Sequence, residues 1–194
     1  MYTFQSDWFT VQIPLWEKYL NEYKGKENIS FLEVGSFEGR SAIWLLTNIL
    51  TSESAHLTCI DTFEGSIENQ TKHNINLSLI EKNFDENISR TGASYKVTKI
   101  KNYSSKAFQG LTFESQDVIY IDGSHLAPDV LSDAVLYFFL LKGGGLMIFD
   151  DYEWGEIGMT GLNTPKPAID AFLTIYKEKI EIMYIGIQVI IRKK

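Results

Sequence analysis

The stretch Phe31–Ser41 has the residue types and the spacing of half of a nucleoside-binding site. Its sequence, FLEVGSFEGRS, is an apolar run that leads into a glycine loop and then into a helical pattern. A second apolar run, Leu57–Ile60, ends in the acid Asp61. Glycines let the backbone approach a ligand closely, a helix N-terminus offers N–H groups to an anion, and an acid at the tip of the next strand accepts ribose hydroxyls. The spacing therefore predicts a cofactor that contains a nucleoside.

The number of glycines indicates which cofactor this is. Loops that bind a dinucleotide carry three glycines in a G-x-G-x-x-G pattern, which admits a pyrophosphate. Here the pattern is Glu33-x-Gly35-x-x-x-Gly39-x-Ser41, with two glycines and an acid on the strand. That acid would repel a pyrophosphate but would attract a cationic amino group. The motif therefore favours S-adenosylmethionine, which has an amino group, a carboxylate and a ribose, over a nicotinamide cofactor.

Two further predicted strands end in acids. The apolar run Asp117–Ile121 is followed by Asp122, and the run Leu146–Phe149 is followed by Asp150 and Asp151. If the two strands are neighbours, the three carboxylates lie close together and repel one another unless a cation or protons neutralise them. Oxygen ligands of this kind suit Mg²⁺. The pattern therefore predicts a magnesium site formed by these three acids.

His125 lies three residues beyond Asp122, before the next predicted helix. With an ordinary pKa of about 6.5, a histidine there could take a proton from a substrate hydroxyl near neutral pH. His125 and Asp122 are therefore the predicted catalytic residues. A structural role is the alternative, because an acid at a strand end often caps the following helix. The occurrence of acids at successive strand ends favours the functional interpretation.

The elements that must position these residues alternate between strands and helices. Strands are predicted at about 31–35, 56–60, 95–100, 117–121 and 146–149. Helices are predicted over 8–23, 39–50, part of 62–94, 104–110, from Pro128 to Gly143, and over 166–179. Residues 181–192 are expected to form two strands that fold back near Gly186. The predicted fold class is α/β, a Rossmann-like three-layer sandwich with a mostly parallel seven-stranded sheet and an antiparallel C-terminal edge strand.

The composition limits the classes of function. The chain has 194 residues, of which 44% are hydrophobic and 22% charged, as expected for one globular domain. Its net charge of −7 disfavours binding to a phosphate backbone, so no nucleic-acid partner is expected. The single cysteine, Cys59, excludes an internal disulfide framework and is expected in the core. No secretory signal or membrane-spanning run is recognisable, which predicts a cytoplasmic protein without a membrane partner.

Taken together, the motifs resemble those of the class I S-adenosylmethionine-dependent methyltransferases. They are most similar to the macrocin O-methyltransferase group and, more distantly, to catechol O-methyltransferase, over roughly residues 30–192. The motifs that carry the resemblance are Leu32–Ser41, Ile60–Phe63, Tyr120–His125 and Gly143–Tyr152. In those families the acid after the fourth strand and the two residues after the fifth bind the metal, which match Asp122, Asp150 and Asp151. The catechol enzymes carry a lysine base at the position of His125.

The resemblance implies a role for each loop residue. Glu33 would hold the methionine amino group, Ser41 the carboxylate end and Asp61 the ribose, with Phe63 on the adenine. The full set of predicted cofactor-binding residues is Glu33, Gly35, Ser36, Phe37, Gly39, Ser41, Asp61, Thr62, Phe63 and Asp122. Glu38, in contrast, is expected to be a first-turn acid at the start of a helix. Residues 1–194 would form one domain, with a helical segment over 1–30 above the acceptor pocket.

The expected reaction is Mg²⁺-assisted methylation of a hydroxyl on a small molecule, such as a sugar, a polyketide or a catechol-like diol. One alternative is a methyltransferase that needs no metal, in which Asp122 or His125 works alone. Another is a module that binds S-adenosylmethionine and transfers nothing, and a third is a nicotinamide-dependent oxidoreductase. The expected partner is the small-molecule acceptor, and a homodimer is left open.

Overall fold

Seven strands and a set of helices alternate along the chain in a computed structural model, which describes residues 1–65, 73–155 and 161–194. The strands are β1 (Ser30–Val34), β2 (His56–Asp61), β3 (Val97–Lys101), β4 (Gln116–Ile121), β5 (Leu141–Phe149), β6 (Ile180–Ile185) and β7 (Val189–Lys193). The α-helices are α1 (Ile13–Leu20), α2 (Arg40–Asn48), α3 (Ile80–Arg90), α4 (Ser104–Ala107), α5 (Ala127–Phe138) and α6 (Lys166–Tyr176). Part of the crossover predicted within 62–94 lies outside the described residues.

The strands form one sheet in the order β3-β2-β1-β4-β5-β7-β6. The pairs β2/β3, β1/β4 and β4/β5 are parallel, whereas β7 is antiparallel to both β5 and β6. The prediction of a Rossmann-like α/β fold, with a mostly parallel sheet and antiparallel C-terminal strands, is confirmed. Within the described parts of the chain, no helix has the length and apolarity needed to cross a membrane.

The chain divides into two compact units, one of residues 1–29 and 36–101 and one of 30–35 and 102–194. In the first unit, α1 carries its apolar residues at helical spacing and buries Trp16 and Leu20 completely. The indole of Trp16 meets that of Trp44 on α2 edge to face, at 5.7 Å between ring centroids. Cys59 on β2 is fully buried, as the sequence predicts. The single domain predicted for the whole chain stays a prediction.

In the second unit, the strands β1, β4, β5 and β7 read as apolar runs because most of their residues are buried. Helix α5 begins with Pro128 in its first turn, where a missing N–H is tolerated. It packs on α6 through the rings of Phe138 and Phe172, whose centroids are 5.6 Å apart. This contact holds α5, which follows Asp122 and His125 in the chain, against α6.

The boundary between α5 and β5 differs from the sequence prediction. The helix expected to end at Gly143 ends at Phe138, and β5 begins at Leu141 rather than at Leu146. Residues Gln116 and Val118 on β4 pair with Leu141 and Leu146, so five steps along β5 oppose two along β4. The three glycines 143–145 lie in this bulge, where residues without side chains accommodate the extra backbone.

Candidate active site

In the first unit, Asp61 at the end of β2 holds the glycine loop in place. Its Oδ2 atom accepts hydrogen bonds from the backbone N–H of Ser36 at 2.8 Å and of Phe37 at 2.7 Å. Its Oδ1 atom accepts a third, from the N–H of Phe63 at 2.6 Å. A carboxylate offers about four acceptor positions, so about one remains on Oδ1 for a ribose hydroxyl. In this conformation Asp61 organises the loop in addition to the ribose contact predicted for it.

The start of α2 completes this loop with polar groups that suit a ligand. Gly39 precedes the helix in a left-handed conformation, with φ of 80°, and as a glycine it has no side chain to cap the helix N-terminus. Ser41 is buried in the first turn. Ser36 has only 2% of its surface exposed, and its hydroxyl has no hydrogen-bond partner in the part of the chain that the structure describes. Buried polar groups normally have partners, so this hydroxyl is suited to a ligand atom.

Among the residues after β2, Phe63 faces the interior of the unit. Phe63 is only 5% exposed and packs on Phe84, with ring centroids 5.0 Å apart. The ammonium group of Lys99 lies 4.8 Å from the centroid of the Phe63 ring. The Thr62 hydroxyl accepts a hydrogen bond from the N–H of Glu64 at 3.2 Å. The contact of Phe63 with adenine therefore stays a prediction, and the structure gives this ring a packing role.

In the second unit, Gly35 allows the ends of β1 and β4 to lie close together. Its φ of 88° is a conformation that other residues rarely adopt. A Cβ atom at this position would overlap the backbone carbonyl of Asp122 and would lie 2.8 Å from the Cα of Gly123. Glu33 on β1 is fully buried, and its charge contributes to the raised pKa of Asp122. The structure therefore brings these two predicted site residues next to Asp122.

The acids that follow β4 and β5 share a tyrosine. The Tyr120 hydroxyl is hydrogen-bonded to Asp122 Oδ2 at 2.8 Å and also to Asp150 Oδ2. Gln188 donates to the same Asp150 oxygen at 3.0 Å. A hydroxyl has one proton to donate, so Tyr120 can donate to only one of the two carboxylates, and a hydrogen bond with the other requires a proton on that carboxyl group. The arrangement of Tyr120, Asp122 and Asp150 therefore favours binding of an additional proton.

The electrostatics of this cluster agree with a shared proton. Desolvation, together with the charges of Asp150 and Asp151, raises the pKa of Asp122 well above its usual range. Desolvation and the charge of Asp151 likewise raise the pKa of Asp150. Burial and the two neighbouring acids raise the pKa of the Tyr120 hydroxyl, which keeps it protonated. The cluster therefore lowers its net charge by binding protons.

His125 is oriented by the third acid. Its Nε2 atom lies 3.0 Å from Asp151 Oδ2, and its ring packs on Trp154 with 4.3 Å between centroids. Asp151 adopts a φ of 57°, a left-handed conformation that is uncommon outside glycine. When the neutral histidine donates its Nε2 proton to the carboxylate, Nδ1 becomes the basic nitrogen. A small cleft is lined by Ile121, Asp122, Ser124, His125, Val130, Asp150, Asp151 and Pro165.

The predicted magnesium ligands have suitable chemistry but are not arranged as a ligand set. Asp122, Asp150 and Asp151 offer only oxygen donors. However, Asp122 and Asp150 are bonded to Tyr120, and Asp151 is bonded to His125. Across residues 1–65, 73–155 and 161–194, no group of three or more His, Cys, Asp or Glu side chains is placed to hold a metal ion. As arranged here, the three acids do not fit a magnesium ion.

The sequence analysis did not predict the hydrogen-bonding roles of three residues. Tyr120 lies within an apolar strand, where a buried ring is the ordinary expectation, and Gln188 lies in a short connection between strands. Glu38 is not in the first turn of a helix, since α2 begins at Arg40. Its carboxylate is buried and accepts hydrogen bonds from Gln5 and Asn83. None of these partners is near Glu38 in sequence, so local patterns carry no signal for them.

Asp133 on α5 is a buried acid whose contribution to the free energy of unfolding depends on pH. Burial, and to a smaller extent the charge of Asp129, raise its pKa from 3.8 to about 6, although a hydrogen bond from Ser104 opposes this. Between those pH values the folded protein binds more protons than the unfolded chain does, so the contribution of Asp133 to stability falls as pH rises.

We expect the stability of the Asp133→Asn variant relative to the original protein to rise by up to about 3 kcal/mol between pH 4 and pH 7. The amide keeps an acceptor for Ser104 and has no charge to bury. Urea unfolding of both proteins at pH 4, 5, 6 and 7 measures this difference. A difference that stays constant over this pH range would contradict the assignment.

The fold and the motifs match known proteins. The family described as "Methyltransferase domain" matches residues 32–152. An uncharacterised protein of Acanthamoeba polyphaga mimivirus is 25% identical over 162 residues, which are 80% of this chain and 66% of that protein's length.

Two solved structures have the same fold. An O-methyltransferase from Bacillus cereus in complex with SAH superposes with a TM-score of 0.69 and 18% identity, over 99% of this chain and 84% of that one. A protein from Clostridium thermocellum, described as a candidate rRNA-methylase, has a TM-score of 0.70 and 15% identity, over 94% and 97% of the two chains.

Proposed function

Because the chain belongs to the methyltransferase-domain family, we propose that it transfers a methyl group from S-adenosylmethionine to a hydroxyl oxygen of a small molecule. The observation that carries this proposal is the glycine loop held by Asp61, with the buried Ser36 hydroxyl beside it. The bound SAH of the Bacillus cereus O-methyltransferase supports the choice of cofactor and of an oxygen acceptor.

Both units, each taken by itself, carry residues whose chemistry suits part of S-adenosylmethionine. In the first, the start of α2 with Ser41 suits the methionine carboxylate, since a helix N-terminus attracts an anion, and Asp61 accepts a ribose hydroxyl. In the second, the buried carboxylate of Glu33 suits the cationic amino group, and Gly35 leaves room for close approach.

In the proposed reaction, the acceptor oxygen attacks the methyl carbon as the carbon–sulfur bond breaks. The bonding electron pair stays on sulfur, which gives S-adenosylhomocysteine, and the hydroxyl proton passes to Nδ1 of His125. Asp151 holds the Nε2–H of the same ring and stabilises the imidazolium that forms. Alignment of the oxygen with the methyl group supplies most of the remaining acceleration.

Whether the methyl transfer requires Mg²⁺ is a separate part of the proposal. For Asp122, Asp150 and Asp151 to hold Mg²⁺, these acids would first have to give up their hydrogen bonds to Tyr120 and His125. The hydrogen bonds from Tyr120 and His125 to these acids instead support the alternative in which His125 acts without a metal. The similarity to a candidate rRNA-methylase raises RNA as another acceptor, but the net charge of −7 favours a small molecule.

Calorimetric titration of S-adenosylhomocysteine, with Mg²⁺ and again with EDTA, tests the cofactor. We expect a micromolar dissociation constant in both conditions and about tenfold weaker binding for Asp61→Ala, because that variant frees the loop and loses the ribose acceptor.

Absence of binding to the original protein would overturn the proposed function. NAD is the control ligand and is expected to give no heat, because a pyrophosphate would meet Glu33. Binding of S-adenosylhomocysteine without turnover on any hydroxylated acceptor would instead favour a module that binds the cofactor only. Turnover that EDTA abolishes would establish the magnesium version.

A further inference from the structure

The segment Thr3–Trp8 has no helix or strand, yet it is tied to the first unit by polar side chains. Thr3 exchanges two hydrogen bonds of 2.8 Å with the fully buried side chain of Asn87 on α3. The side chain of Gln5 is bonded to both the N–H and the carbonyl of Asn76, at 2.8 and 3.1 Å. We call Thr3–Trp8 the strap.

Glu38 is the centre of these contacts. Its carboxylate, in a residue that is 1% exposed, accepts the N–H of Gln5 at 2.7 Å, the side-chain amide of Gln5 at 2.8 Å and that of Asn83 at 2.7 Å. The amide of Asn87 also donates to the backbone carbonyl of Glu38 at 3.0 Å. Hydrogen bonds to a buried carboxylate are among the stronger ones in proteins. Glu38 therefore joins the strap and α3 to the glycine loop.

The rest of the strap lies against the residues on either side of Glu38. Arg40 pairs with Asp7 at 3.1 Å and has its guanidinium 4.0 Å from the centroid of the Phe4 ring. Trp8 packs on Phe37, with 5.2 Å between ring centroids, and remains 46% exposed. The strap thus touches the loop both before and after Glu38.

The loop needs such support because of its backbone. Phe37 has a φ of 46°, which is uncommon for a residue with a side chain and persists only where the surroundings impose it. Asp61 holds the N–H groups of Ser36 and Phe37, as described above. The carboxylate of the next residue, Glu38, is held by the strap and by α3.

We propose that Glu38 is a positioning residue for the cofactor. By fastening the strap to the glycine loop, it keeps the backbone of Ser36 and Phe37, whose N–H groups Asp61 holds, in the conformation that receives S-adenosylmethionine, and it keeps Trp8 packed on Phe37. This role rests on the proposed function, since it concerns the affinity for that cofactor. Glu38 itself does not take part in methyl transfer.

Two measurements on the Glu38→Gln variant test the role. The amide has one oxygen, so its NH2 group would face either the backbone N–H of Gln5 or the side-chain amides of Gln5 and Asn83, and the attachment of the strap would be weakened. We expect about tenfold weaker binding of S-adenosylhomocysteine by calorimetry, with KM for S-adenosylmethionine raised and kcat within about twofold. Backbone amide exchange in the ligand-free protein should become faster at Ser36 and Phe37.

The controls separate positioning from general damage. Glu17→Gln removes an exposed acid of α1 and should change neither measurement. If Glu38→Gln fails to fold, Gln5→Ala removes the strap side of the contact alone, and we expect about threefold weaker binding with the same faster exchange.

Unchanged affinity in Glu38→Gln would overturn the proposal, and so would weaker binding with unchanged exchange at Ser36 and Phe37. If the original protein does not bind S-adenosylhomocysteine, the proposed function is wrong and with it the cofactor role of Glu38. The exchange measurement needs no ligand and would still show whether Glu38 fastens the strap to the loop.

Discussion

Replacing Gly35 by alanine is expected to destabilise the folded protein by at least about 3 kcal/mol, which corresponds to a fall in Tm of about 10 °C. The added methyl group would occupy the space of the Asp122 carbonyl, and the backbone conformation at φ of 88° disfavours any side chain. Both effects act on the backbone, which cannot move aside as the end of a flexible side chain can. Urea unfolding and thermal unfolding followed by circular dichroism measure the loss.

Gly110→Ala is the matched control for this experiment. Gly110 belongs to the same unit, and its conformation is not left-handed. Apart from its neighbours in the chain, no atom of the described residues lies within 4 Å of the position its Cβ would take. We expect its stability to stay within about 0.5 kcal/mol of the original value. A Gly35→Ala variant as stable as Gly110→Ala would show that the ends of β1 and β4 are not in contact as described.

His125→Gln is expected to lower kcat by about 10²- to 10⁴-fold, the range for loss of a positioned general base. Glutamine keeps a polar side chain of similar reach but cannot accept the hydroxyl proton at neutral pH. Asp151→Asn should lower kcat by a smaller factor, because His125 remains but loses the carboxylate that orients it and stabilises its charge. Steady-state assays on a responsive acceptor, at saturating S-adenosylmethionine, measure both.

His56→Gln provides the comparison for this second experiment. His56 lies on β2 with its ring bonded to the Thr98 hydroxyl at 2.9 Å, and no role in the reaction is assigned to it. The kcat of the His56→Gln variant should match that of the original protein. If His125→Gln retains full kcat while EDTA abolishes activity, the proton is removed with the help of a metal, and the role given to His125 is wrong.

The fold was largely predictable because its signals are local. Each parallel strand is a short apolar run followed by a helical pattern, and this alternation indicates the parallel sheet. Residues 181–192 instead predict two strands that fold back near Gly186 with no helix between them. The exception is the start of β5. There the glycines 143–145 have the composition of a turn, and only their pairing opposite Gln116 and Val118 shows that they belong to a bulged strand.

The sequence predicts those residues of the candidate site that lie directly at the ends of strands. Asp61, Asp122, Asp150 and Asp151 lie at the ends of their strands, and the sheet register brings the last three together as expected. Their partners were not predictable, because contacts such as Tyr120 with Asp150 or Glu38 with Gln5 join residues about 30 positions apart. Such pairings depend on packing rather than on sequence spacing.

The hydrogen bonds that Asp61 accepts also bear on the thermodynamics of binding. A loop that is disordered before a ligand arrives loses backbone entropy at every binding event, and that loss lowers the affinity. Here the N–H groups of Ser36 and Phe37 are already held, so their ordering accompanies folding instead. The glycine loop is thus preorganised, because the carboxylate of Asp61 fixes its conformation before a nucleoside binds.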